Sequence, residues 1–342
     1  MVMKIHEPAL AHGCNGPCRS IQAARRKLHV PYRDRTTAMS NSPGPEGGDW
    51  TFDGTWPHHP RYFDTGSARM HYVDEGPRDG RPVVLVHGNP TWGYLYRHFI
   101  TPLVEAGYRV VVPDHPGSGR SAAPSNASAY TIPRHSERLI ALMDSLGLED
   151  ATVVVQDWGG PIGLSWPAHR PDKVRSLYIM NTFAHRPPPG TKVPQILRFI
   201  RAPLVGEVMI KARHAFVRKL LFQAIRRDRR NDTLRAAYLA PHPTYASRTG
   251  ILVFPRQIPD SPTGSVSDFL DEVHTGLMPF RDRPVAFAWG TKDPVFPPGV
   301  YKRLWQPDFP DAPILWLDKA GHFLQEDAPE LIVPNLLEFL ER

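Results

Sequence analysis

Apolar and polar positions along the chain fall into two rhythms. Short apolar runs recur at Pro82-Val83-Val84-Leu85-Val86, Arg109-Val110-Val111-Val112-Pro113, Val153-Val154-Val155, Ser176-Leu177-Tyr178-Ile179-Met180, Val285-Ala286-Phe287-Ala288-Trp289 and Ile314-Leu315-Trp316-Leu317. Continuous rather than alternating apolarity is the mark of strands buried on both faces. Ahead of them, Arg61–Asp64 and Met70–Asp74 read as two strands joined by the Thr65-Gly66-Ser67 turn. Between the runs, Tyr94 to Glu105, Ile132 to Leu146 and Pro329 to Leu340 have the spacing of helices. Strands alternating with helices at this interval predict an α/β fold: a mostly parallel, eight-stranded sheet with helices on both faces.

The alternation stops after Asn181-Thr182. From Phe183 to about Met278 the pattern is helical, basic and punctuated by proline. A helical block inserted between two sheet strands is expected to cover the strand ends, where open α/β sheets place their sites. The predicted division is a core of residues 49–182 and 279–342, and a cap of residues 183–278. Within the cap, 207–230 reads as one basic amphipathic helix with an apolar stripe of Ile210, His214, Val217, Leu221 and Ala224. Such a helix is expected to pack its stripe downward and leave its arginines in solvent; the other reading is a weak contact with a membrane surface or an acidic partner. Residues 1–48 lack periodicity and are rich in Arg, Pro, Gly and Ser, so disorder is expected there, with order beginning near Tyr62. Met39-Ser40-Asn41-Ser42-Pro43-Gly44 reads as an alternative start, in which case residues 1–38 are not native.

One stretch carries a geometry beyond secondary structure. Val153-Val154-Val155-Gln156-Asp157-Trp158-Gly159-Gly160-Pro161-Ile162-Gly163 passes from buried strand to helix within about three residues. That is the form of a nucleophile elbow, where a strained turn lifts one side chain above the sheet. Gly159 and Gly160 let the helix start close against the strand. The tip residue is Asp157, and a carboxylate there can attack an electrophilic carbon and form an ester on the protein. Two further strand ends lead into loops with reactive residues. Asp293 lies in Gly290-Thr291-Lys292-Asp293-Pro294-Val295-Phe296, and His322 in Lys319-Ala320-Gly321-His322-Phe323. The chain has sixteen histidines, so one alone means little; nucleophile, acid and histidine in this order is the order of the α/β-hydrolase fold.

Composition narrows the classes. With 41% hydrophobic and 22% charged residues, 342 residues can bury a large core. No apolar run approaches the roughly 20 residues of a membrane span, and none near the start has the character of a signal peptide. The two cysteines, Cys14 and Cys18, sit in the tail, a usage that suits a reducing cytoplasm. The net charge of +7 is concentrated: residues 1–38 carry +5 and residues 184–230 carry +10, leaving −8 for the rest. The basicity therefore belongs to a tail and one segment, and no nucleic-acid motif accompanies it. No cofactor is expected, because there is no dinucleotide fingerprint and no metal-ligand spacing.

The combination resembles the haloalkane dehalogenases over roughly residues 60–342. The matching stretches are His87-Gly88-Asn89-Pro90-Thr91, Asp114-His115-Pro116-Gly117-Ser118-Gly119-Arg120-Ser121, Gln156-Asp157-Trp158-Gly159-Gly160-Pro161, Asn181-Thr182, Gly290-Thr291-Lys292-Asp293-Pro294 and Gly321-His322. The resemblance implies Asp157 as nucleophile, His322 as base, Asp293 as the acid that orients it, and Asn89 and Trp158 as donors to halide and oxyanion. The family places its third acid at either of two strand ends; here the earlier one is Asn181, an amide, so the acid falls to Asp293. The implied partners are a small apolar substrate and water. Three other readings stand beside it. The β-lactone decarboxylases of olefin biosynthesis share the same residues, and the cap is similar to theirs in its general run. Epoxide hydrolases share the elbow and use two cap tyrosines, for which Tyr238 and Tyr245 are available. A non-catalytic ligand-binding relative is the last, and the intact triad opposes it.

Overall fold

The computed structural model describes residues 48–342 except 191, 192 and 194. The expectations for residues 1–47, including Met39, Cys14 and Cys18, lie outside the described residues. Eight strands form one sheet: β1 (Arg61–Asp64), β2 (Arg69–Glu75), β3 (Pro82–Val86), β4 (Arg109–Pro113), β5 (Ala151–Asp157), β6 (Val174–Thr182), β7 (Val285–Gly290) and β8 (Ile314–Leu317). Their order is β1-β2-β4-β3-β5-β6-β7-β8. The β1–β2 and β2–β4 pairs are antiparallel and all later pairs are parallel. The predicted mostly parallel sheet is therefore present, with every predicted strand in it.

The apolar runs work as expected. In β3 and β5 alternate residues serve opposite faces: Val83, Leu85 and Val154 join one apolar cluster, while Val84, Val86, Val153 and Val155 join the other. Both strands are buried throughout. The parallel register pairs Val86 with Val155, so β3 and β5 end side by side. The β5–β6 register then shifts between Gln156 and Asp157, at the point where the chain turns into the helix Gly159–His169.

Two expectations need correction. Order does not begin near Tyr62. Trp50, Phe52 and Trp56 are buried against Trp92 and Tyr94, with ring centroids 5.2–5.9 Å apart in edge-on or tilted geometry. This stretch has no strand or helix period, so the burial of its aromatic rings left no periodic signal. Trp56→Ala should cost about 3–5 kcal/mol of stability, seen as an earlier midpoint in urea; an unchanged midpoint would contradict the packing.

The second correction concerns residues 207–230, which are not one helix. They form two π-helical turns, Glu207–Ala212 and Phe216–Leu221, then the short turns Phe222–Ala224 and Arg227–Arg229. The break falls at His214, whose φ of +53° no continuing helix accepts. The stripe itself faces inward as expected: Ile210, His214, Val217 and Leu221 are buried, and Arg213, Arg218 and Lys219 are exposed. Among the described residues, no helix is long and apolar enough to cross a membrane.

Candidate active site

Asp157 ends β5 and carries φ of +51°, a left-handed conformation that a residue with a Cβ adopts at a cost of about 1–3 kcal/mol. The surroundings enforce it. Gly159 lies so near the end of β3 that a Cβ there would fall 2.2 Å from the Val86 carbonyl oxygen. A Cβ on Gly88 would fall 2.4 Å from Asp157 Oδ1. The Asp157 carbonyl accepts a hydrogen bond from the Thr182 hydroxyl of β6. The result is a nearly buried carboxylate, 7% exposed, above the sheet. Its Oδ1 accepts the Asn89 backbone N–H at 2.8 Å, which leaves Oδ2 facing His322 Nε2 at 3.4 Å.

His322 sits on the loop after β8. Its Nδ1–H donates to Asp293 Oδ2 at 2.9 Å, and Gln156 Nε2 donates to its backbone carbonyl at 3.0 Å. Phe323 meets the ring edge-on and Phe296 lies tilted beside it. Burial pushes the imidazole toward its neutral form, but the Asp293 charge and the hydrogen bonds to Asp157 and Asp293 outweigh it and raise the pKa to about 10. Burial likewise favours the neutral carboxyl of Asp293; the facing His322 and the Val295 N–H, 2.7 Å from Oδ1, reverse this and hold it below the usual range. The resting site thus pairs an imidazolium with buried carboxylates.

Asn181 supplies what the sequence reading missed. The amide stands at the other strand end where an acid could have been. Its Nδ2 donates to Asp293 Oδ2 at 2.7 Å, and its Oδ1 accepts the Gly290 N–H at 2.9 Å. It therefore fastens the acid to the end of β7. Asn181→Leu strands the Gly290 N–H, at about 1–3 kcal/mol, and takes one of two donors from Asp293 Oδ2, which keeps His322. Equilibrium unfolding should show the loss, and a variant as stable as the parent would refute this bracing.

Asn89 and Trp158 flank Asp157 at the polar end of a cavity of about 500 Å³. The Trp158 ring is fixed by Phe183 and Phe254, at 5.2 and 5.8 Å. Away from this end the lining is mostly apolar, including Leu197, Phe216, Leu221, Ile258 and Leu304, with His185 and Arg303 among it. All five expected residues thus meet in one place. The two cap tyrosines do not. Tyr238 is buried with its hydroxyl donating to Glu326 at 2.6 Å, Tyr245 is half exposed beneath Lys211, and neither lines the cavity.

A carboxylate in this setting can act on an sp³ carbon brought down an apolar channel. The family model for the alpha/beta hydrolase fold matches residues 81–329. The chain belongs to that family. Within it, the chain is 36% identical over 280 residues to a cis-3-alkyl-4-alkyloxetan-2-one decarboxylase of Xanthomonas campestris, a match covering 80% of this chain and 92% of that one. It is 35% identical over 283 residues to haloalkane dehalogenase 2 of Mycobacterium tuberculosis, covering 83% and 95%. Among solved structures, a putative ancestral haloalkane dehalogenase superposes with a TM-score of 0.75 at 31% identity, covering 82% of this α/β hydrolase and 98% of that chain.

Proposed function

We propose that this α/β hydrolase is haloalkane dehalogenase-like, cleaving carbon–halogen bonds to alcohol and halide through an ester on Asp157. The observation that carries the reading is Asp157 itself: a carboxylate at an elbow tip, with one oxygen on an amide N–H and the other beside His322 Nε2 at the end of a mostly apolar cavity. Displacing halide needs an anionic nucleophile in line with the carbon–halogen bond, and Asp157 Oδ2 is that group. The departing halide gains charge, and the Asn89 amide and Trp158 indole N–H are the donors beside it. Donors aimed in advance in a water-poor site contribute several kcal/mol to such a step. Alkylation leaves Asp157 as a neutral ester. His322, held by Asp293, then takes a proton from water as the water attacks the ester carbon. Charge developing on Oδ1 meets the Asn89 N–H already bonded to it. No cofactor enters these steps, and the setting is cytoplasmic.

The order of events explains an apparent conflict. A base whose pKa is about 10 is protonated at neutral pH. Asp293 contributes most to that elevation and stays in place, but forming the ester removes the Asp157 charge, another of its causes, so the imidazole gives up its proton more readily when a base is needed. Hydrolysis of the ester should accelerate as pH rises through the lowered His322 pKa, and slow toward acid where the imidazolium persists. Single-turnover decay of the ester against pH measures this; a rate that falls with rising pH would exclude His322 as base.

A second reading follows from the decarboxylase relatives, which match over 80–83% of the chain at 32–36% identity. In it, Asp157 opens a four-membered lactone at its sp³ C–O carbon, and the leaving group is the substrate's own carboxylate rather than halide. Loss of CO₂ then re-forms the free Asp157 carboxylate and gives an alkene, without water. Incubation with 1-bromobutane or 1,2-dibromoethane separates the two: bromide release supports the dehalogenase. Alkene and CO₂ from a dialkyl β-lactone, with no bromide from either haloalkane, would support the decarboxylase.

A further inference from the structure

Beyond the cavity floor, His185, His274 and Asp308 bring three ligand atoms within 4.8 Å of one another, the one such group of His, Cys, Asp and Glu among the described residues. They come from three separate places: the start of the segment after β6, the helix Ser265–Gly276 that ends it, and the loop before β8. His185 Nε2 lies 2.9 Å and His274 Nε2 2.7 Å from the same oxygen, Asp308 Oδ2. Arg281 donates to the other oxygen at 2.8 Å. Trp305 packs edge-on against His185 and is itself tied to the Thr182 carbonyl. The group is built into the protein, with His185 8% exposed and the Asp308 side chain 12%.

Simple hydrogen bonding leaves this group unbalanced. If each histidine donates Nε2–H to Asp308, Nδ1 of His185 is a bare acceptor, and it is buried with no well-formed hydrogen bond. The Leu304 backbone carbonyl, another acceptor, lies against the same ring. A metal ion resolves this. With Nε2 on a metal, the ring carries its proton at Nδ1, where a carbonyl can accept it, the usual outer contact of a metal-bound histidine.

We propose that His185, His274 and Asp308 form a binding site for one divalent transition-metal ion of the zinc type, clasping both ends of the helical insertion to the core. Two imidazoles and one carboxylate are ligands of the right class, with a fourth position left for water. Bonds of about 2.0–2.2 Å place tetrahedral donors about 3.3 Å apart, so each histidine need retreat from Asp308 by only about half an ångström. Arg281 keeps Oδ1 occupied, which makes Asp308 a one-oxygen ligand; its half-exposed side chain leaves that positive charge screened by solvent. His185 also lines the substrate cavity near Phe183, so the ion would stiffen the cavity wall. The clasp does not depend on which reaction the site performs.

The test is calorimetric titration of chelator-treated full-length protein with Zn²⁺, followed by a thermal melt, and repeated for variants. Wild type should take up one saturating equivalent at this site and melt later with Zn²⁺ than without. Loss of outer contacts alone weakens metal sites by about 10–100-fold, so His274→Ala should weaken uptake by about a hundredfold or more. Asp308→Asn should do the same, and covers the case in which His274→Ala fails to fold. A Cys14→Ser/Cys18→Ser variant should bind as wild type does. No saturable uptake by wild type would overturn the site. So would uptake lost only with the two cysteines, or undiminished in both folded ligand variants.

Discussion

Asp157→Asn should abolish halide release, lowering turnover by about 10⁴-fold or more while leaving the fold intact. The amide preserves the shape of the carboxylate, and its Oδ1 can still accept the Asn89 N–H. What it removes is the anionic oxygen, without which no bond to carbon forms. Removing a nucleophile from a catalytic triad carries a loss of that order or larger. Halide release measured beside circular dichroism of the same sample separates chemistry from folding. A folded variant with a tenth of the parent rate would mean that another group attacks.

His322→Ala should separate the two halves of the reaction. The carboxylate does not need the imidazole in order to attack, but the ester needs it in order to leave. Exposure to 1-bromobutane should therefore release one equivalent of bromide and leave the protein heavier by one butyl group at Asp157. Later turnovers should be slower by about 10²–10⁴-fold, the usual contribution of a positioned base. The local structure favours this separation, because the His322 loop is also held by Gln156 and because Asn181 keeps Asp293 in place without the histidine. Intact-mass spectrometry reads the adduct. If a folded variant released bromide from 1-bromobutane with no adduct at any time, the ester would be excluded as an intermediate.

Much of this was legible in the sequence, for identifiable reasons. A strand buried on both faces must be apolar at every position, so the central strands showed themselves as unbroken runs. The elbow showed itself because only small residues fit where the helix meets the ends of β3 and β6, and Gly159 and Gly160 stand just past the acid, after Trp158. Asp293 and His322 could be placed near each other from the sequence because their loops follow strands that end on one side of the sheet.

What was hidden depends on packing between distant segments. Trp50 and Phe52 find their partner in Trp92, some forty residues on, and no local period marks it. The helix expected over 207–230 had the right inward stripe, yet His214 takes a left-handed turn that its residue type does not announce. Asn181 read as a missing acid and acts as the brace of the acid that replaced it. His185, His274 and Asp308 are too widely spaced in sequence to suggest a cluster; only the return of the helical insertion to the core brings them together.

One measurement tests the Asp157 ester most directly. A single turnover of excess enzyme on 1-bromobutane in H₂¹⁸O, followed by proteolysis and mass spectrometry, locates the oxygen that water supplies. Attack of water on the ester carbon predicts ¹⁸O in the peptide that contains Asp157 and unlabelled butanol in that first turnover. Labelled butanol with an unlabelled Asp157 peptide would mean that water attacked the substrate directly, and the carboxylate would not be the nucleophile.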